Sequence, residues 1–100
     1  MKDKILNALQ AANSLLEEFL SDNRNIETIE TFAQVIANVF ENGNKIIIAG
    51  NGGSAADAMH FAEEFTGKFR KERKALPVIA IPDSSHITCV SNDFGFDHIF

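Results

Sequence analysis

An uninterrupted apolar run, Ile46-Ile47-Ile48-Ala49, leaves few folds open to this chain once its surroundings are read with it. A glycine-rich turn, Gly50-Asn51-Gly52-Gly53, follows at once, then a helix-forming stretch from Ser54, then a second apolar run, Leu76 to Ile81 (LPVIAI). β-Branched runs without polar alternation suit strands buried on both faces, and such strands occur in parallel sheets covered by helices. Pro77 is tolerable near a strand's start. Strand, helix, strand is therefore a βαβ unit, and the fold class is α/β. Two parallel strands leave an edge and a face uncovered, so further strands are expected. Residues 1–100 are accordingly expected to be the N-terminal portion of one domain. In it, 1–44 form a helical region and 45–100 the βαβ unit with its glycine-rich loop.

The preceding segment is helical. Ile5, Leu9, Ala12, Leu16 and Phe19 recur at a 4-3-4-3 spacing, and Leu6, Leu15 and Leu20 widen the stripe. That width fits a core-facing helix or one shared with another subunit, and both readings stay open. A polar break over Asp22–Asn25 leads to a second helix, with Asn25 as its expected cap, apolar positions Ile26, Ile29, Phe32, Ile36, Val39 and Phe40, and Gly43 as its stop. Ser54 and Asp57 form a capping-box pattern for the third helix, which carries Phe61 and Phe65 on its core face and ends at Gly67. Beyond Asp83, helix or loop is expected, with Ser84 or Ser85 capping a short helix through Val90.

Composition excludes some classes of function. A formal charge of −5 argues against a nucleic-acid binder, which needs a basic surface. Lys68, Arg70, Lys71, Arg73 and Lys74 are a local exception, read as a solvated loop or a rim attracting an anionic small substrate. The single cysteine, Cys89, provides no intrachain disulfide and points to a reducing cytoplasm. No run approaches membrane-spanning length, so no membrane partner is expected.

The turn and the helix it opens carry the chemistry. Amides at a helix N-terminus bear partial positive charge without helical partners, which suits an anion or sugar oxygens. His60 and Glu64 stand four residues apart on one helix face, suiting a metal ion or proton transfer. Alone, such a pair is more often a surface ion pair, and two ligands do not complete a zinc site. Glu63 is read as turned about a hundred degrees away and solvated. The turn also fits G-x-G-x-x-A, a dinucleotide fingerprint, yet the acid expected about twenty residues later falls in the basic loop. A sugar- or phosphosugar-binding loop uses the same backbone physics and is favoured. Asn92-Asp93 follows the second strand, where open α/β sheets place ligands, although Asn-Asp before Phe-Gly also reads as a turn. His86 and Cys89, three apart, are read as packing, and His98 has no assigned role.

In combination, AGNGGSAADAMHFAEEFTGKF, LPVIAI and SSHITCVSNDFGFDHIF resemble the phosphoheptose isomerase (sedoheptulose 7-phosphate isomerase) family of the SIS phosphosugar-isomerase superfamily, over essentially the whole chain. The resemblance implies a doubly wound parallel sheet and a homotetramer with the N-terminal helices in its interfaces. By it, Asn51, Gly52 and Gly53 match the substrate loop, and Asn92 and Asp93 match a second substrate-contacting pair. His60 and Glu64 match two zinc ligands, and Glu64 also matches the substrate-contacting acid–base carboxylate. The implied reaction interconverts sedoheptulose 7-phosphate and glycero-manno-heptose 7-phosphate for bacterial lipopolysaccharide or surface polysaccharide. The family's Ser/Thr-rich phosphate loop, glutamine and later histidine are expected beyond Phe100, so these residues alone are expected to be inactive. Two rivals share the fold: a non-catalytic adaptor that binds the replication initiator, and a phosphosugar-sensing regulatory module. The adaptor type characteristically lacks a carboxylate at the position of Glu64, which favours the isomerase.

Overall fold

The computed structural model describes residues Met1 to Phe100, which divide into two compact units, Met1–Ala37 and Asn38–Phe100. The first holds α1 (Lys2–Ser21) and most of α2 (Asn23–Glu41). Asp22 alone separates the two helices, and its carboxylate accepts the Arg24 amide at 3.0 Å. The expected cap, Asn25, serves the other helix instead, its side-chain amide donating to the Phe19 carbonyl at 2.8 Å. The Arg24 guanidinium, and then the Arg24 amide, hold the Asp22 carboxyl below the usual carboxylate range. No residue of α1 or α2 is buried. Leu9, Leu15 and Phe32 are all more than half exposed, so the wide apolar stripe is uncovered in this chain. No helix is long and apolar enough to cross a membrane.

In the second unit α2 closes as expected just before Gly43. The Asn44 amide reaches the Val39 carbonyl (2.9 Å) and the Gly43 amide that of Phe40 (3.0 Å), the two bonds of a Schellman motif. The chain then forms β1 (Ile46–Ile48), α3 (Gly53–Thr66), β2 (Val78–Ala80) and α4 (Ser84–Phe94), with a 3₁₀ turn over Phe96–His98. The strands pair in parallel, Ile46 with Val78, Ile47 with Ile79 and Ile48 with Ala80. The α/β class and the βαβ unit are thus as expected, with shorter strands. Alternation along a strand separates the faces. Val78, Ala58 and Ala62 are buried where α3 packs on β2. Ile47 and Ile79 remain 62% and 49% exposed, so burial on both faces does not occur here. Phe61 and Phe65 stack with ring centres 4.8 Å apart, and Phe40 meets Phe65 at 5.5 Å.

The segment after β2 settles as helix. Its cap is Asp83 rather than Ser84 or Ser85: the Asp83 carboxylate accepts the His86 amide at 2.8 Å and the Ser85 hydroxyl at 2.5 Å. The Ser85 hydroxyl and then the His86 amide hold this carboxyl below its ordinary range. α4 continues past Val90 to Phe94, so Asn92 and Asp93 are helical rather than part of a turn.

Candidate active site

The glycine-rich turn joins the C-terminal end of β1 to the first turn of α3. Gly52, the residue before the helix, has φ +54° and ψ −120°, a conformation that L side chains rarely adopt. A Cβ at Gly52 or Gly53 would meet nothing within 4 Å, so the turn's outer face is open to a ligand. Gly50 is constrained differently, since a Cβ there would collide with the Ser54 carbonyl. The Ser54 hydroxyl bonds back to Asn51, accepting its amide and donating to its carbonyl, both at 2.8 Å. The expected capping box is therefore absent: α3 starts one residue before Ser54, and no side chain caps it. The Ser54 and Ala55 amides are engaged by the Asn51 and Gly52 carbonyls (3.0 and 3.1 Å). The neighbouring Gly52 and Gly53 amides remain the natural donors to an anionic or hydroxyl oxygen.

Gly52→Val is expected to weaken binding of an anionic or hydroxyl-bearing ligand at this turn about tenfold or more. The valine side chain would cover the open face, and relief of its strain at positive φ, on the order of 1–3 kcal/mol, would draw the free turn out of the ligand-accepting conformation. Calorimetric titration of a variant shown to be folded measures this. Parental affinity there would make Gly52 a residue of the turn alone.

Two turns along α3, His60 Nε2 lies 3.1 Å from Glu64 Oε1 and 3.8 Å from Glu63 Oε1. Glu63 is solvated as expected, its side chain 72% exposed, although the i,i+3 spacing still brings it within 3.8 Å of His60. The Glu64 side chain is 39% exposed, against 69% for His60. An open depression of about 300 Å³ is lined by Asp57, His60, Phe61 and Glu64.

Ligand atoms around a tetrahedral zinc, bonded at about 2.0–2.2 Å, lie about 3.3–3.6 Å apart. The His60–Glu64 separation comes near one edge of that tetrahedron, and an imidazole nitrogen with a carboxylate oxygen is a donor set zinc accepts. One ligand atom each from His60, Glu63 and Glu64 lie within 4.8 Å of one another.

The other candidates are placed elsewhere in the unit. Asn92 and Asp93 occupy the last turn of α4, exposed, with the Asn92 amide donating to Asp93 Oδ1 at 2.9 Å and Cys89 Sγ 3.5 Å from Asp93 Oδ2. Neither is hydrogen-bonded to the glycine-rich turn or to the His60–Glu64 pair. His86 Nε2 lies 3.1 Å from the carbonyl oxygen of buried Ile99. In the basic loop, Lys68 pairs with Glu72 at 2.6 Å and the Arg70 guanidinium lies over the Phe69 ring at 4.8 Å. Arg73 departs from the expected solvated rim. It is half-buried and donates to the main-chain carbonyls of Glu64 (2.5 Å) and Phe65 (2.7 Å).

Comparison with known proteins is consistent along the whole chain. The SIS domain family profile matches residues 9–100. A phosphoheptose isomerase of Fusobacterium nucleatum is 52% identical over 96 residues, which is 96% of this chain and 50% of that protein. One of Sodalis glossinidius is 52% identical over 99 residues, 99% of this chain and 51% of that protein. Among solved structures, phosphoheptose isomerase from Neisseria gonorrhoeae superposes with a TM-score of 0.73 at 36% identity, covering 97% of this chain and 50% of that one. The chain spans about half the length of the curated relatives it matches.

Proposed function

This chain belongs to the SIS domain family, and from that premise we propose that the whole protein is a phosphosugar isomerase. Its reaction interconverts sedoheptulose 7-phosphate and D-glycero-D-manno-heptose 7-phosphate, in the synthesis of bacterial heptose for lipopolysaccharide. The observation that carries this reading is the His60–Glu64 pair, 3.1 Å apart on the helix that the glycine-rich turn opens. Relatives named phosphoheptose isomerase, matching almost the full chain, support it.

The chemistry follows from the groups present. Ketose and aldose differ by a proton moved between adjacent carbons through an enediol, which needs a base at the carbon and donors at the oxygens. Glu64 is the base: its carboxylate takes the proton from C1 of the ketose and returns it to C2, while the hydroxyl proton passes from O1 to O2. The Asn51–Gly53 turn holds the reacting end of the sugar through its amides, and Asn92 and Asp93 make further sugar contacts. His60 and Glu64 would hold part of a zinc site, with the other ligands outside residues 1–100. Zinc bound there would supply positive charge to polarise the sugar oxygens. Tight metal binding lowers a carboxylate's basicity, so Glu64's two roles compete.

Residues 1–44 form the helical interface region of a homotetramer and 45–100 the βαβ unit of the same domain. The uncovered stripe on α1 and α2 supports that interface, and a monomer by sedimentation would refute it. A reducing cytoplasm suits the exposed Cys89 thiol, and cell fractionation tests that location.

The direct test of the function incubates the whole protein with sedoheptulose 7-phosphate in deuterated water. The aldose should form, with deuterium entering C2 to the extent that the Glu64 carboxyl exchanges its proton with solvent before returning it. Absence of conversion in zinc-loaded, folded protein would overturn the proposal.

A further inference from the structure

We propose that Arg73 is a positioning residue for Glu64, clamping the last turn of α3 so that the Glu64 carboxylate stays in register with His60. The proposal rests on the function above only in giving that pair a role. α3 ends at Thr66, which places Glu64 in the last turn. The final four carbonyls of a helix have no helical donors, and a terminus without substitutes frays. His60 and Glu64 face each other only while the chain between them is helical.

The donors available to those carbonyls are few. The Glu63 carbonyl takes the Gly67 amide at 2.7 Å. That of Phe65 takes the Leu76 amide at 3.0 Å and Arg73 Nη1 at 2.7 Å. For the Glu64 carbonyl the partner is Arg73 Nη2 at 2.5 Å. One guanidinium thus spans two consecutive carbonyls, and Nη1 also donates to the Lys74 carbonyl at 3.0 Å. Its charge also lies at the negative end of the helix dipole. A planar fork of N–H groups suits two adjacent acceptors, whereas an ammonium is a point charge on a flexible stem. Removing Arg73 would leave the carbonyl of Glu64 itself without a protein donor.

The test compares Arg73→Ala and Arg73→Lys with the parent, all as whole protein. Zinc affinity is read by competition with a chromogenic chelator, and protection of the Phe65–Gly67 amides by hydrogen exchange. The kcat and KM are read for the heptose phosphates. For Arg73→Ala, zinc affinity should fall about tenfold, as for other groups that orient metal ligands. Exchange protection in the last turn should be lost, and kcat should fall more than KM rises. Arg73→Lys should recover part of each. A folded Arg73→Ala protein with parental zinc affinity overturns the proposal, whether or not its last turn exchanges faster. Should that variant fail to fold, Arg73→Lys decides: parental zinc affinity and protection together overturn it, and a partial loss of both supports it. A parent that binds zinc but converts no heptose phosphate overturns the function and leaves this test standing.

Discussion

Glu64→Gln in the whole protein is expected to lower turnover by about two to four orders of magnitude, the usual worth of a general base. Glutamine keeps the size and reach of the side chain while removing the basic carboxylate. The fold should tolerate it, because the Glu64 side chain is 39% exposed and its neighbours Ala58 and Ala62 hold the helix on β2. Substrate should still bind, since the Asn51–Gly53 turn is untouched. Turnover, substrate affinity and zinc content on this one variant separate three roles. A fall in turnover with zinc retained marks the base. A joint fall, partly restored by added zinc, marks a ligand, because an amide is a weaker donor to the metal than a carboxylate. Near-parental values of all three would leave Glu64 as no more than the partner of His60, and would remove the mechanism proposed here.

The elements were legible where periodicity decides them, and less so where one hydrogen bond does. The isoleucine run and LPVIAI gave both strands, because β-branched residues in sequence have few other uses. Their ends were overestimated. Pro77 has no N–H and contributes only its carbonyl, to the Ile46 amide at 3.0 Å, while Ile81 contributes its amide to the Ile48 carbonyl at 3.0 Å. The helix caps slipped by one to three residues, to Asp22 and Asp83, since Asp, Ser and Asn offer the same acceptor and backbone torsion chooses among them. What covers a strand was not legible either. The sequence marks Ile47 and Ile79 as apolar, and only the fold reveals that they stay 62% and 49% exposed. At the site, the i,i+4 spacing of His60 and Glu64 translated directly into a 3.1 Å approach. Arg73 did not declare itself, because its bonds to Glu64 and Phe65 join positions nine and eight apart, across a loop that no periodicity describes.

His60→Ala is expected to weaken zinc binding by more than about a hundredfold, since even groups that only orient a ligand are worth ten- to a hundredfold. The same change should spare the fold. The imidazole is 69% exposed, whereas the Phe61–Phe65 stack and the buried Ala58 and Ala62 are made by other side chains of α3. Alanine is also the better helix former, by roughly half a kcal/mol, so thermal stability measured without zinc should hold or rise slightly. A drop in both quantities would mean that His60 serves packing, with the metal lost only because the helix is. Equal zinc content in parent and variant at equal folded fraction would remove His60 from the ligand set. The i,i+4 pair on α3 would then be a surface ion pair, worth little on an exposed helix face.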